Sequence, residues 1–89
     1  MSVGDHWSVS LSVSESGGET HAEAGLIMAD SHYLSGRGKA RLNPADRNVV
    51  RIGEEIAIAR ALSDLAHKLI HTAAEGIEDM THERAQLHL

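Results

Sequence analysis

Two histidines, His67 and His71, come closest in this sequence to the spacing of a metal-binding pair. Residues four apart on a helix share one face, so both imidazoles could reach a single ion. A zinc site of the His-Glu-x-x-His type needs glutamate directly after the first histidine, but that position is Lys68, whose ammonium disfavours a divalent cation. Asp64 is the only neighbouring carboxylate. We therefore expect exposed helix surface at these residues and no metal site.

The segment Gly36–Lys39 contains two glycines and two cations but lacks the spacing of a phosphate-binding loop. A P-loop requires Gly-x4-Gly-Lys-Ser/Thr between a strand and a helix. No Gly-x-Ser-x-Gly motif accompanies the serines, and no pair of carboxylates is tied to a cleft. The sequence therefore predicts no catalytic residues, no cofactor, no small-molecule substrate and no enzyme activity.

Positive charge is concentrated in one short segment. Between residues 37 and 51 the chain has five basic residues and one acid, about +4, whereas the whole chain has a net charge of −5. The five basic residues are Arg37, Lys39, Arg41, Arg47 and Arg51. Such segregation can produce a cationic patch on an acidic body. We predict that these side chains bind a nucleic acid or an acidic partner. A merely solvated surface is the alternative, and the acidic total argues against a general nucleic-acid binder.

Alternation of apolar and polar residues predicts three β-strands, over about residues 6–13, 19–29 and 33–42. Gly17-Gly18 and the segment Asp30–His32 supply the turns between them. The predicted inward residues of the first two strands are Trp7, Val9, Leu11 and Val13, then Ala22, Ala24, Leu26 and Met28. Pairing Met28 with Leu34 keeps the small and apolar residues of the strands on one side.

The third strand carries a row of cations on its outward face, about 13 Å long. This basic ridge consists of Arg37, Lys39 and Arg41. The inward positions between them are Gly36, Gly38 and Ala40. Small residues at these positions would let a helix approach the sheet closely.

From Gly53 onward, apolar residues recur at three- and four-residue steps, which predicts an α-helix over about residues 53–71. Thr72-Ala73-Ala74-Glu75 fits a capping box, so a short second helix is predicted over about residues 73–80. A helix continuous through Gly76 is the alternative. The polar face of the main helix is formed by Arg60, Asp64, His67, Lys68 and His71.

The apolar arc of this helix covers about half its circumference, which is more than a small three-stranded sheet requires. We predict that the surplus packs against a second copy of the chain. The alternative is that packing within the core of one chain accounts for the whole arc. The residues assigned to this dimer interface are Ile58, Leu62, Leu65 and Leu69. The size of the chain also favours a dimer, because a domain of 89 residues buries only about 60–65% of its unfolded surface.

The composition fits one domain spanning residues 1–89. No cysteine is present, so disulfides and thiolate metal ligands are excluded. The N-terminus lacks a basic segment followed by an apolar run, and no apolar stretch approaches the roughly 18–20 residues that span a bilayer. These observations predict a soluble cytoplasmic protein with no membrane partner.

Two segments, residues 34–46 and 52–65, closely resemble an actinobacterial family known as domain of unknown function 1876. The first reads Leu-Ser-Gly-Arg-Gly-Lys-Ala-Arg-Leu-Asn-Pro-Ala-Asp and the second Ile-Gly-Glu-Glu-Ile-Ala-Ile-Ala-Arg-Ala-Leu-Ser-Asp-Leu. The resemblance covers nearly the whole chain, from the first predicted strand to His82. The family includes small mycobacterial proteins, some of them members of the hypoxia-induced dormancy regulon.

The resemblance implies an α+β fold similar to double-stranded-RNA-binding domains. In this fold a β-meander is covered by helix, and two chains form a homodimer. Together with the residue patterns above, the predicted fold is a three-stranded antiparallel meander packed on a long C-terminal helix plus a short second helix. Some members are similar in shape to ribosome hibernation-promoting factors, which implies association with the ribosome or ribosomal RNA by analogy. The expected function is a non-enzymatic stress or dormancy protein that binds the ribosome or RNA. The alternative is a dimeric protein-interaction or regulatory module with no nucleic-acid role.

Overall fold

The structure, a computed structural model, describes residues 5–41 and 49–82 and contains a three-stranded antiparallel sheet with one long helix on one face. The strands lie in the order β1-β2-β3. The elements are β1 Ser8–Ser16, β2 Glu19–Ile27, β3 Tyr33–Arg41 and α1 Val49–Thr81. The predicted α+β class and the β-meander are confirmed.

A two-residue turn at Gly17-Gly18 joins β1 to β2. Both glycines have positive φ, +57° and +80°, which is the backbone of a type I′ hairpin turn and favours residues without a Cβ. Because the turn needs only these two residues, β1 continues to Ser16, beyond its predicted end. The hairpin places Leu11 directly opposite Ala24.

The pairing of β2 with β3 differs from the prediction by two residues. Leu34 lies opposite Leu26, not opposite Met28. Met28 belongs to the turn, where its amide donates to the carbonyl of His32 (2.8 Å) and its carbonyl accepts from the amide of Ser31 (2.9 Å). The turn therefore takes five residues instead of three. A shift of two leaves every side chain on its predicted face, since side chains alternate with a period of two.

Small residues form the core between the sheet and α1. The buried apolar residues are Ala22, Ala24, Leu26, Ala40, Ala57, Ala61 and Leu65. A Cβ on Gly36 would clash with the carbonyl oxygen of Ala61, and one on Gly38 would clash with that of Ala57. As predicted, the missing side chains let α1 lie directly against β3.

α1 covers β2 and β3 but leaves β1 uncovered, so the prediction that the apolar residues of the first strand are buried is wrong for the single chain. Their exposed fractions are 51% for Trp7, 51% for Val9, 47% for Leu11 and 36% for Val13. The reason is that the helix is narrower than the three-stranded sheet. A helix about 10 Å across covers about two strands spaced about 4.8 Å apart, and β1 is the third.

The structure shows one continuous helix where the sequence predicts two. α1 runs from Val49 to Thr81 through Gly76. The side chain of Glu75, which a capping box would turn back to the start of a second helix, instead lies 3.3 Å from His71 on the preceding turn. The alternative of a continuous helix is confirmed. In the described part of the chain, no helix combines the length and apolar character needed to cross a lipid bilayer.

Candidate functional site

The basic ridge lies on the outer face of the sheet, which we define as the face opposite α1. Arg37, Lys39 and Arg41 are all exposed, and the residues between them point toward α1. The side chains of Arg37 and Arg41 are 80% and 72% exposed. The strand alternation thus produces the row of cations that the sequence predicts.

Two of the three ridge cations are paired with carboxylates of β2. Arg37 Nε lies 3.1 Å from Glu23 Oε2, and Arg41 Nη2 lies 3.3 Å from Glu19 Oε1. Both pairs join residues directly opposite each other on neighbouring strands, and exposed cross-strand pairs of this kind contribute about 0.2–1 kcal/mol each. The outer face therefore carries alternating charge, which weakens its positive potential. Sequence reasoning missed this pairing because it depends on the β2–β3 register.

Of the other two predicted binding residues, the structure describes only Arg51, which lies away from this row. Arg51 is on α1 and forms an ion pair with Glu55, 3.3 Å away on the next helical turn. Arg47 lies outside the described residues. Of the four cations that the structure describes, it therefore brings together the three on β3.

A shallow concavity of about 390 Å³ lies beside the ridge on the outer face. It is lined by Ser12, Val13, Ser14, His21, Ala22, Glu23, Arg37 and Gly38. Hydroxyl, imidazole, carboxylate and guanidinium groups there can donate and accept hydrogen bonds. Ser14 lies opposite His21 on the neighbouring strand, but among the described residues no hydrogen bond joins them.

Three side chains of α1 bind the free backbone edge of β3. Arg60 Nη1 donates to the carbonyl of Lys39 (2.8 Å), and the amide of Arg37 donates to Asp64 Oδ2 (2.9 Å). Lys68 Nζ donates to the carbonyl of Ser35 at 2.8 Å. The prediction placed these helix residues on the face turned away from the sheet, but their side chains reach its edge.

The environment of Asp64 favours its ionised form. The amide of Arg37 is the main cause that lowers the pKa of this carboxyl, followed by the hydrogen bond from Lys68. Lys68 Nζ lies 3.1 Å from Asp64 Oδ2. Asp64 thus links the helix to β3 through both a backbone amide and a charge.

His67 and His71 each contact their own helix. His67 Nδ1 lies 2.7 Å from the carbonyl oxygen of Ser63, and His71 Nε2 lies 3.3 Å from Glu75 Oε1. Within residues 5–41 and 49–82, no three histidine, aspartate or glutamate side chains are grouped so that they could hold a metal ion.

The residues predicted for a dimer interface occupy three environments. Leu65 is buried in the core beneath α1. Ile58 and Leu69 are partly buried and pack against that core, and Leu62 is 40% exposed. Leu65 is therefore not on the surface of the single chain, because it shares the sheet-facing side of the helix with Ala57 and Ala61.

Comparison with known proteins gives relatives in mycobacteria. The family described as Rv2632c-like matches residues 5–86 of the chain. Uncharacterized protein Mb1767 of Mycobacterium bovis is 48% identical over 82 residues, which cover 92% of this chain and 86% of the relative. Uncharacterized protein Rv2632c of Mycobacterium tuberculosis is 43% identical over 81 residues, covering 91% and 86%. The crystal structure of Rv2632c is similar with a TM-score of 0.80 at 43% identity, covering 92% of this chain and 96% of that one.

Proposed function

The chain belongs to the Rv2632c-like family, and from the geometry of its sheet we propose that it is a non-enzymatic, cytoplasmic interaction module. Its outer face binds a partner protein by matching alternating charges. The observation that carries this proposal is the pairing of Arg37 with Glu23 and of Arg41 with Glu19. Charge patterns of both signs on one surface favour recognition of a complementary protein surface.

The same pairing separates this proposal from binding to a nucleic-acid backbone. Phosphate binding relies on cations that can release counterions, and its strength grows with the number of phosphates neutralised. On the outer face, Glu19 and Glu23 already neutralise two cations, and no ion pair engages Lys39 among the described residues. The concavity beside the ridge adds serine hydroxyls and His21, which suit hydrogen bonds to a polypeptide surface.

Binding to the ribosome or to structured RNA is the second candidate. It is favoured by one specific observation: three exposed cations stand in a row on a single face. The arginine side chains of that row are exposed enough to exchange a carboxylate for a phosphate. Resemblance to domain of unknown function 1876, with its dormancy-regulon members and its likeness to double-stranded-RNA-binding domains, supports a role in stress for either candidate.

A double substitution separates the two candidates. Glu19→Gln and Glu23→Gln together free Arg37 and Arg41 without changing side-chain size much. Protein recognition predicts that partners captured from a mycobacterial lysate after nuclease treatment are lost from this variant. RNA recognition predicts the opposite, namely tighter binding to ribosomal RNA, with a steeper dependence on salt.

Charge reversal tests the outer face itself. Arg37→Glu, Lys39→Glu and Arg41→Glu combined should abolish nuclease-resistant capture, whereas Arg51→Glu on α1 is the matched control and should not. If capture and ribosome binding are both unchanged in the triple variant, the outer face is not the binding surface and both candidates fail.

A further inference from the structure

One row of polar side chains crosses the middle of the outer face from strand to strand. Ser14 lies opposite His21 on the neighbouring strand, and His21 lies opposite Lys39. We call these three residues the central row. Because the strands are about 4.8 Å apart, the row is about 10 Å long. Among the described residues, no hydrogen bond or ion pair engages any of its three side chains.

The ion pairs on either side of the central row each stay within their own pair of opposite residues. Glu19 lies 3.3 Å from Arg41, and Glu23 lies 3.1 Å from Arg37 through Oε2. The other oxygen of Glu23, Oε1, is 3.5 Å from the hydroxyl of Tyr33, so both oxygens of this carboxylate have a neighbour outside the central row. Neither glutamate forms an ion pair with the central row.

The charge balance of the outer face determines what the central row can bind. With histidine neutral, the outer face of the three strands has three cations and two carboxylates, and the cation left unpaired is Lys39. A single carboxylate from a partner completes this balance. A phosphate group carries a charge of about −1.5 to −2, and its surplus would be repelled by Glu19 and Glu23, which lie two residues to either side of His21.

The donors of the central row also fit a carboxylate. An ammonium group offers three N–H donors, and an imidazole and a hydroxyl each offer at least one, while a carboxylate has two accepting oxygens. Residues directly opposite on neighbouring strands have Cβ atoms about 5 Å apart, so Lys39 and His21 can each donate to one oxygen. The concavity of about 390 Å³, which Ser14 and His21 line, leaves room for the incoming group.

From this arrangement we infer that the central row is a subsite for one aspartate or glutamate side chain of the partner protein. Lys39 supplies the charge, His21 and Ser14 supply hydrogen bonds, and the flanking glutamates disfavour a second negative charge. The inference rests on the proposed function, because it names the chemistry that the outer face recognises in its partner. It also gives Lys39 a role that differs from those of Arg37 and Arg41, whose charges are matched within the chain.

Selection from random peptides tests the subsite without a known partner. The probe is a phage-displayed library of random peptides, presented in parallel to the wild-type chain and to Lys39→Glu. Peptides selected by the wild-type chain should be enriched at least threefold in aspartate or glutamate relative to the unselected library. The net charge of the whole chain, −5, would by itself produce the opposite bias. Lys39→Glu should remove the enrichment.

Arg51→Glu on α1 is the matched control for this selection. It makes the same change of charge away from the outer face and should retain the enrichment. The side chain of Lys39 is exposed, so Lys39→Glu should keep the far-ultraviolet circular dichroism of the wild-type chain. The inference is overturned if the wild-type chain does not enrich acidic peptides, or if Lys39→Glu enriches them as strongly.

A second measurement distinguishes a carboxylate from a phosphate. One selected peptide is synthesised with glutamate, glutamine or phosphoserine at its acidic position, and its binding is measured by fluorescence anisotropy. The glutamate peptide should bind up to about fivefold more tightly than the glutamine peptide, which is the range of an exposed ion pair, and more tightly than the phosphoserine peptide. Lys39→Gln should bind the glutamate and glutamine peptides equally. Tighter binding of phosphoserine, or a preference for glutamate that survives Lys39→Gln, would contradict a carboxylate subsite.

These results also separate failure of the subsite from failure of the proposed function. If the combined reversal of Arg37, Lys39 and Arg41 abolishes capture of partners while Lys39→Glu still selects acidic peptides, only the subsite is wrong. If the combined reversal leaves capture unchanged, the outer face is not the binding surface and the subsite fails with it.

Discussion

At the scale of single residues, two glycines decide how closely the helix meets the sheet. A methyl group at Gly36 or Gly38 would collide with backbone atoms of α1, while one at Gly76 would meet nothing within 4 Å. We expect Gly36→Ala and Gly38→Ala each to lower the free energy of unfolding by about 1–3 kcal/mol, the usual cost of overpacking. Urea denaturation measures this loss.

Gly76→Ala is the matched control for these substitutions. It should raise the free energy of unfolding by up to about 1 kcal/mol, because alanine is the better helix former. If Gly36→Ala proved as harmless as Gly76→Ala, α1 could not lie against β3 as described.

Asp64 gives the chain a specific response to acid. The pKa of its carboxyl is lowered in the folded chain, first by the amide of Arg37 and then by Lys68. The stabilisation is therefore present above the ordinary pKa of about 4 and is lost as the pH falls through the lowered value. Asp64→Asn should lower stability at neutral pH and make stability less dependent on pH in the acid range.

Urea denaturation of both forms from about pH 3 to pH 7 checks this response. Asparagine keeps an oxygen that can accept from the amide of Arg37, so the difference reports mainly the charge. The turn carboxyl of Asp30, whose pKa is lowered mainly by its side-chain hydrogen bond with His32, should supply the acid response that remains. Identical pH profiles for the two forms would show that Asp64 does not tie α1 to β3.

At the scale of elements, α1 contacts the two edge strands of the sheet to different extents. On β3, Arg60, Asp64 and Lys68 occupy backbone groups that an edge strand otherwise offers to other chains. α1 hardly reaches β1, and among the described residues no hydrogen bond joins its polar side chains to that edge. Of the two edges, β1 is therefore the one that the described part of α1 leaves open to another chain.

The length of α1 provides a further prediction. If Thr72 were the cap of a second helix, Thr72→Ala would cost about 1 kcal/mol. In a continuous helix Thr72 is an exposed interior position, so alanine should raise the free energy of unfolding by a few tenths of a kcal/mol. Urea denaturation with circular dichroism distinguishes the two outcomes, and a clear loss of stability would contradict a continuous helix.

The sequence predicts which residues form each strand and which side of it is apolar. It does not predict which other elements lie beside that strand. The alternation around Leu11 correctly predicts which side of β1 is apolar, and the same alternation puts Arg37 on the outer face. Alternation cannot say whether a helix wide enough to cover that side is present, so the exposure of Leu11 was not predictable. The two-residue shift of Leu34 has a similar origin, since hydrogen bonds within the turn decide where pairing starts.

The sequence predicts the row of cations in the candidate site, but it does not predict that carboxylates of β2 pair with two of them. Arg37, Lys39 and Arg41 follow directly from the period of a strand. Their carboxylate partners lie 14 to 22 residues earlier in the chain, and only the register shows that they meet. The roles of Arg60 and Lys68 at the edge of β3 depend on the angle at which α1 crosses the sheet, which periodicity alone does not give.

At the scale of the whole molecule, stability should depend on protein concentration. A chain that unfolds from a dimer is stabilised by mass action, so its melting temperature rises as concentration increases. We expect this rise for the wild-type chain and not for Leu62→Glu, which places a charge at an exposed residue of the predicted dimer interface. Thermal denaturation over a hundredfold range of concentration, followed at constant heating rate, measures the difference. A melting temperature that is constant for the wild-type chain would contradict assembly.

The fluorescence of Trp7, the single tryptophan of the chain, tests most directly whether a second chain covers the exposed apolar residues of β1 in the predicted homodimer. At concentrations where the wild-type chain is dimeric, its emission should be shifted to shorter wavelength and protected from acrylamide quenching relative to Leu62→Glu. Dilution should bring the two spectra together. If wild-type and Leu62→Glu spectra coincide at every concentration, with Trp7 fully accessible to the quencher, no second chain covers β1.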